Sequence, residues 1–168
     1  MTLANLAAIA EIIGIFTLAT GLFFGIFQLR ANREQQRNAV ATSLAQSFYD
    51  KEFSKAIVLL QNFPDGVSAV TINAAGQEYV EAAVKICTSF ETMGLLVFRK
   101  IAPLDLVMDL AGGVCASMYR KLQNWIHFKR ETQHQPSWAE WFEWLATLSE
   151  QHKNESIPIQ TRAANWRS

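Results

Sequence analysis

The apolar and polar positions change their pattern near residue 28, and that change sets the expected architecture. From Leu6 to Phe27, "LAAIAEIIGIFTLATGLFFGIF" is a 22-residue run with one charge, Glu11. As a helix it is about 33 Å long, the thickness of a bilayer's hydrocarbon core. After Gln28 the apolar residues recur at helical spacing among polar ones, the pattern of helices that bury one face. The expected fold is therefore all-α: a transmembrane helix over 6–29 behind a short external N-terminus at 1–5, a helical domain over 30–152, and a flexible tail at 153–168. About four or five helices are expected in the domain.

The segment "LRANREQQRNAVATSLAQSFYDKEF" has no proline or glycine, so the first helix is predicted to continue beyond the apolar run. A bend is expected near Tyr49 and Asp50, with Asp50 as N-cap. The next helix runs to the turn "FPDG" at Pro64 to Gly66, and "VSAVTIN" fits either an extended piece or a loop. A long helix is predicted from Asn73 to about Lys100, with Val80, Ala83, Val84, Cys87, Phe90, Gly94, Val97 and Phe98 on its apolar face. "APLDLVMDLAGG" reads as a short helix opened by Pro103 and closed by Gly112 and Gly113. A further helix follows from Val114 to Lys129. The last starts at Ser137, where Ser137 and Glu140 have the spacing of a capping box, and ends near Gln151.

The flanks of the apolar run predict an anchor rather than a cleaved leader. "MTLANLAAIAE" carries no Lys or Arg ahead of the run, whereas Arg30, Arg33 and Arg37 follow it. By the positive-inside rule the N-terminus lies outside and the main domain in the cytoplasm. Around that helix Ala7, Ala10, Gly14, Thr17, Gly21, Gly25 and Gln28 fall within an arc of about 80°. Gly21 and Gly25 form a GxxxG, extended by Thr17, and such a small-residue face lets two helix backbones approach closely. Gly14, Thr17, Gly21 and Gly25 are the candidate helix–helix interface, with another copy or another membrane protein as partner. Glu11, near the outer end, is expected to reach toward the headgroups.

Charge and motifs narrow the chemistry. Fifteen basic residues balance fifteen acidic ones among 168, which removes the electrostatic case for a nucleic-acid partner. Cys87 and Cys115 lie far apart in apolar helical patterns and read as reduced, buried thiols. His127, His134 and His152 lack metal-ligand spacing, and no phosphate loop or nucleophile motif is present. No catalytic residue, cofactor or metal is expected. Glu91 falls at the centre of the long helix's apolar face, where a lone carboxylate is costly, so Arg120 or Arg130 is the expected partner. Asp105 and Asp109 suit the positive end of a helix. Trp138, Trp141 and Phe142, with Leu145 and Leu148, form an aromatic contact face expected to pack on the bundle or a second subunit; Trp144 is at its edge. Acids without nearby cations speak against that helix lying on anionic lipid.

The stretches "EIIG" from Glu11 to Gly14, "QLR" from Gln28 to Arg30, "FETMG" from Phe90 to Gly94, and the late Trp125 and Arg130 resemble a family of bacterial membrane-anchored helical proteins grouped as a domain of unknown function. The resemblance extends over about residues 8 to 150 and implies an inner-membrane placement without any activity. Two functions are carried forward as expectations. One is a membrane-anchored helical protein that self-associates or serves as an accessory subunit. The other is a membrane-tethered ligand sensor or enzyme built on Glu91 and a neighbouring arginine.

Overall fold

The computed structural model describes residues 3–48 and 50–155 with Thr161, Ala163 and Ala164; side chains are described throughout 50–153 and at part of the positions before them. Every regular element among the described residues is helical, as expected. The chain forms two compact units, Met1–Val40 and Ala41–Ser168.

Helix α1 covers Leu3–Phe48, and its stretch Gly14–Asn32 is long and apolar enough to cross a membrane. Inside it Thr20 donates its hydroxyl to the Phe16 carbonyl at 2.7 Å, so a polar side chain in the apolar run is satisfied locally. The side chains of Ala7, Ala10, Arg33 and Arg37 lie outside the described residues. So does the expected tail from residue 156 to 160, while α7 carries the chain on to Glu155.

In the second unit α2 spans Lys51–Gln61 and begins as its sequence indicates: the Asp50 carboxylate accepts from the Glu52 N–H at 3.0 Å and pairs with Lys85 at 2.6 Å. The open segment "VSAVTIN" becomes α3, Ala69–Ala75, because the Ser68 hydroxyl caps the Thr71 N–H at 3.1 Å. Helix α4 is Gln77–Phe98 and starts four residues later than expected, since Gly76 at φ 131° breaks the chain between α3 and α4. Helix α5, Leu104–Val107, runs through a π-helical turn at Met108–Gly112 into α6, Gly113–Thr132. The expected stop at Gly112 and Gly113 does not occur: both have right-handed helical angles. Gly112 is buried, and a Cβ there would meet Met108 Sδ at 3.3 Å and Ser149 Oγ at 3.7 Å. The glycine makes room for α7, Glu140–Glu155, to pass.

Helix α4 lies against α2, α3, α6 and α7. Its buried positions are Ala82, Ala83, Ile86, Cys87, Phe90, Met93, Gly94 and Val97. The face is thus turned toward Ala82, Ile86 and Met93 relative to the expected one, leaving Val84 and Phe98 exposed. Phe53 of α2, Phe90 of α4, and Phe142 of α7 form a ring ladder. Phe90 meets Phe53 edge-on at 5.8 Å and stacks on Phe142 at 5.1 Å, and Tyr119 of α6 meets Phe142 edge-on at 5.4 Å.

Two backbone positions generate predictions. A Cβ on Gly94 would lie 2.8 Å from the carbonyl carbon of Trp141, with backbone rather than a flexible side chain in the way. Gly94→Ala is expected to lose about 1–3 kcal/mol of stability by chemical denaturation, despite alanine's better helix propensity. Ala139, buried just before α7, has φ 59°. Ala139→Gly removes that left-handed strain and is expected to raise stability by about 0.5–1 kcal/mol in the same measurement.

Candidate functional site

Helix α7 has no side chain of its own to cap its start, because Ala139 occupies the position before Glu140. The capping box expected from Ser137 and Glu140 is replaced by a tighter turn, in which the Glu140 N–H returns to the Ser137 carbonyl at 3.3 Å. Within the helix the first bond to Ala139 comes from the Glu143 N–H at 3.2 Å. The N–H groups of Trp141 and Phe142 are therefore among the donors that every helix leaves unpaired at its start.

Glu91 of α4 supplies the acceptor. Its Oε2 takes the Phe142 N–H at 2.9 Å, and the Trp141 N–H is a second donor to the same carboxylate. A carboxylate placed at a helix N-terminus also meets the positive end of its dipole. Glu91 is half-buried, less enclosed than its place on the apolar face led us to expect. Burial still dominates its titration and raises its pKa above the ordinary 4.5, against the lowering effect of the two N–H groups and of Arg130.

The arginines divide. Arg130 of α6 donates Nε–H to the Trp138 carbonyl at 2.8 Å and Nη1–H to Glu143 at 2.8 Å. It thereby fixes both the loop before α7 and the helix's first turn, and its charge is also felt by Glu91. Its Nη2 is buried with no hydrogen-bond partner among the described residues. Arg120, the other expected partner of Glu91, lies elsewhere: it donates Nε–H to Asp65 at 3.0 Å and pairs with Glu150. Asp65 sits in the "FPDG" turn, which α6 holds through Gly66 N–H to the Arg120 carbonyl at 2.8 Å and Asn124 to the Gly66 carbonyl at 2.7 Å. Asp65 pairs with both Arg120 and Lys121, so Arg120 is occupied there.

Glu143 and Tyr119 complete the cluster and were not among the residues singled out by sequence. Burial opposes the charge of Glu143, yet the Arg130 guanidinium and the Tyr119 hydroxyl hold its pKa below 4.5. Burial, together with the Glu143 acceptor, pushes the Tyr119 phenol well above its usual range. Cys87, fully buried beside the cluster, is pushed up chiefly by desolvation, and Cys115 is raised to about 12 for the same reason. Neither thiol has the lowered pKa of a nucleophile. The signal that could have found Glu143 was available: Arg130 needed a carboxylate, and the first turn of the next helix carried one.

The aromatic residues do not share one contact face. Phe142 is wholly buried in the ring ladder. Trp138 packs edge-on against buried Trp125 at 5.6 Å, whose indole N–H reaches Asn73 at 3.4 Å. Trp141 lies on Phe98 at 4.5 Å and beside Trp144 at 6.1 Å. In the first unit Gly14, Thr17, Gly21 and Gly25 are all exposed, and a Cβ on any of the three glycines would meet nothing within 4 Å.

This arrangement predicts how substitutions at Glu91 separate. Glu91→Ala strands the Trp141 and Phe142 N–H groups and is expected to cost about 1–3 kcal/mol, whereas Glu91→Gln keeps a carbonyl acceptor and most of the stability. The two carboxylates also give opposite pH slopes. The contribution of Glu143, whose folded pKa is lowered, is present above 4.5 and is lost as pH falls through the folded value. The contribution of Glu91, whose folded pKa is raised, is present below 4.5 and is lost as pH rises through the folded value. Denaturation midpoints across about pH 3 to 7 should therefore lose their acid-side decline in Glu143→Gln, and their decline above 4.5 in Glu91→Gln.

Phe90, Glu91 and Gly94 on α4 and Trp125 and Arg130 on α6 thus converge on one object, the start of α7. No curated protein and no solved structure matches the chain. A family model described as "Domain of unknown function (DUF4760)" matches residues 7–149, and the chain belongs to that family.

Proposed function

We propose that this protein is a non-enzymatic, membrane-anchored interaction protein. Helix α1 crosses a bacterial inner membrane with its N-terminus outside, and the helical bundle stands in the cytoplasm as a platform for protein contacts. The observation that carries this reading is the exposure of the apolar side chains between Gly14 and Asn32: Phe16 is 75% exposed, Leu18 76% and Phe23 78%. Covering such a side chain gains about 1.5–3 kcal/mol, and a surface of this length leaves lipid as the cover that suits all of it. Arg30, Arg33 and Arg37 support the orientation.

Assembly through the anchor follows from the small residues of α1. The open space around Gly14, Gly21 and Gly25 leaves room for the backbone of a second helix, either another copy or a partner subunit. Replacing Gly21 and Gly25 together by Leu is expected to shift the protein, in detergent or in bilayers, from an assembled to a smaller species. Unchanged assembly in that variant contradicts the reading.

A membrane-tethered ligand sensor or enzyme is the second reading, and one observation favours it: the unpartnered, buried Nη2 of Arg130. Glu91 is already used as the cap of α7, so a ligand would have to engage Arg130 without it. A thermal-shift screen with small anionic metabolites tests this reading. A rise in melting temperature that is lost in Arg130→Gln supports it, and no rise with any of them leaves it without a ligand.

A further inference from the structure

We infer that the turn joining α4 to α5, together with Trp141 and Trp144, is a second membrane contact that docks on a leaflet containing anionic lipid. The inference rests on the anchor reading above and adds to it a contact by the bundle. Helix α4 ends in a tight turn: the Lys100 N–H returns to the Val97 carbonyl at 2.9 Å, and the Ile101 and Ala102 N–H groups return to the Leu96 carbonyl at 2.9 and 3.1 Å. Lys100 takes φ 58° at the apex, a position that suits glycine. A lysine there places a cation at the tip of the turn.

The turn leaves Phe98 51% exposed, Ile101 56% and Leu104 40%, with Arg99 and Lys100 exposed among them. The Phe98 ring lies 4.5 Å from that of Trp141 and 5.9 Å from that of Trp144, both half-buried, so the apolar surface is continuous across α4 and α7. Neither cation is in an ion pair among the described residues. Asp105 and Asp109, exposed acids of the following segment, are engaged in interactions of their own, and together with exposed Glu140 they oppose the attraction.

The aromatic residues and Arg99 suit a protein or a lipid surface, and Lys100 at the apex favours lipid. Lysine is depleted from the cores of protein interfaces, whereas indoles settle at the headgroup level and each cation near an anionic leaflet adds attraction. The contact need not be strong. A domain tethered to the bilayer by its own chain meets it at an effective concentration in the millimolar range, so a weak surface affinity is enough to keep it docked.

The test uses the full chain in nanodiscs with one spin label at a time. Both native cysteines are at most 1% exposed, so an added surface cysteine labels selectively. Labels at Ile101→Cys for the turn, Phe23→Cys for the anchor and Val70→Cys for an exposed control on α3 report relative access to oxygen, which prefers lipid, and to a water-soluble nickel complex. With anionic lipid present, the label at 101 should favour oxygen as the label at 23 does, while the label at 70 favours nickel. Arg99→Gln and Lys100→Gln should each lower the docked-to-free ratio about fivefold, and purely zwitterionic discs should release the turn. A label at 101 that matches 70 in anionic discs, that is immersed equally in zwitterionic discs, or that is shielded from both reagents as under a protein partner overturns the inference. Lipid access at 23 with water access at 101 defeats the docking alone. Water access at 23 defeats the anchor as well.

Discussion

The first turn of α7 has backbone N–H groups that its own sequence cannot satisfy, and the packing of the bundle is organised around that need. Glu91 reaches from α4 to accept them, and the acceptor must sit close to backbone. Only a residue without a side chain at position 94 lets the Trp141 carbonyl approach α4 closely enough for Glu91 to do so. Arg130 holds the other side of the turn through Trp138 and Glu143. Phe90 and Phe142 stack in the core beside these contacts.

Phe90, Glu91, Gly94, Trp125 and Arg130 form a clamp on one helix terminus. Burial raises the Tyr119 phenol and the two thiols, so they stay neutral at neutral pH, and it raises Glu91 above the ordinary carboxylate value, while Arg130 and Glu143 form an ion pair. A nucleophilic thiol needs its pKa lowered, and both cysteines are shifted the other way. The same cluster ties α4, α6 and α7 into one body.

Much of the helical order was legible from spacing alone, because burial of one face per helix leaves its period in the chain. Asp50 was readable as a cap since its acceptor serves the adjacent N–H groups. The cap of α7 was not, because its acceptor lies 51 residues away and the local Ser137 and Glu140 imitate a capping box. Likewise Gly112 and Gly113 look like a stop in sequence, and only the passage of Ser149 beside Gly112 shows why a glycine stands inside the helix at that position. Glu91 and Arg130 were recognisable as charges needing partners. Which partner each takes was decided by tertiary competition: Asp65 and Glu150 engage Arg120, and Glu143 engages Arg130.

The claim that a residue on α4 caps α7 is tested most directly by native-state hydrogen exchange of the Trp141 and Phe142 amides. Second and third positions of a helix ordinarily exchange fast, since no carbonyl within the helix accepts from them. If Glu91 holds them, both amides, and Phe142 above all, should be protected to nearly the level of the interior of α4. Exchange at rates typical of an exposed helix end, with the α4 interior still protected, would contradict the account.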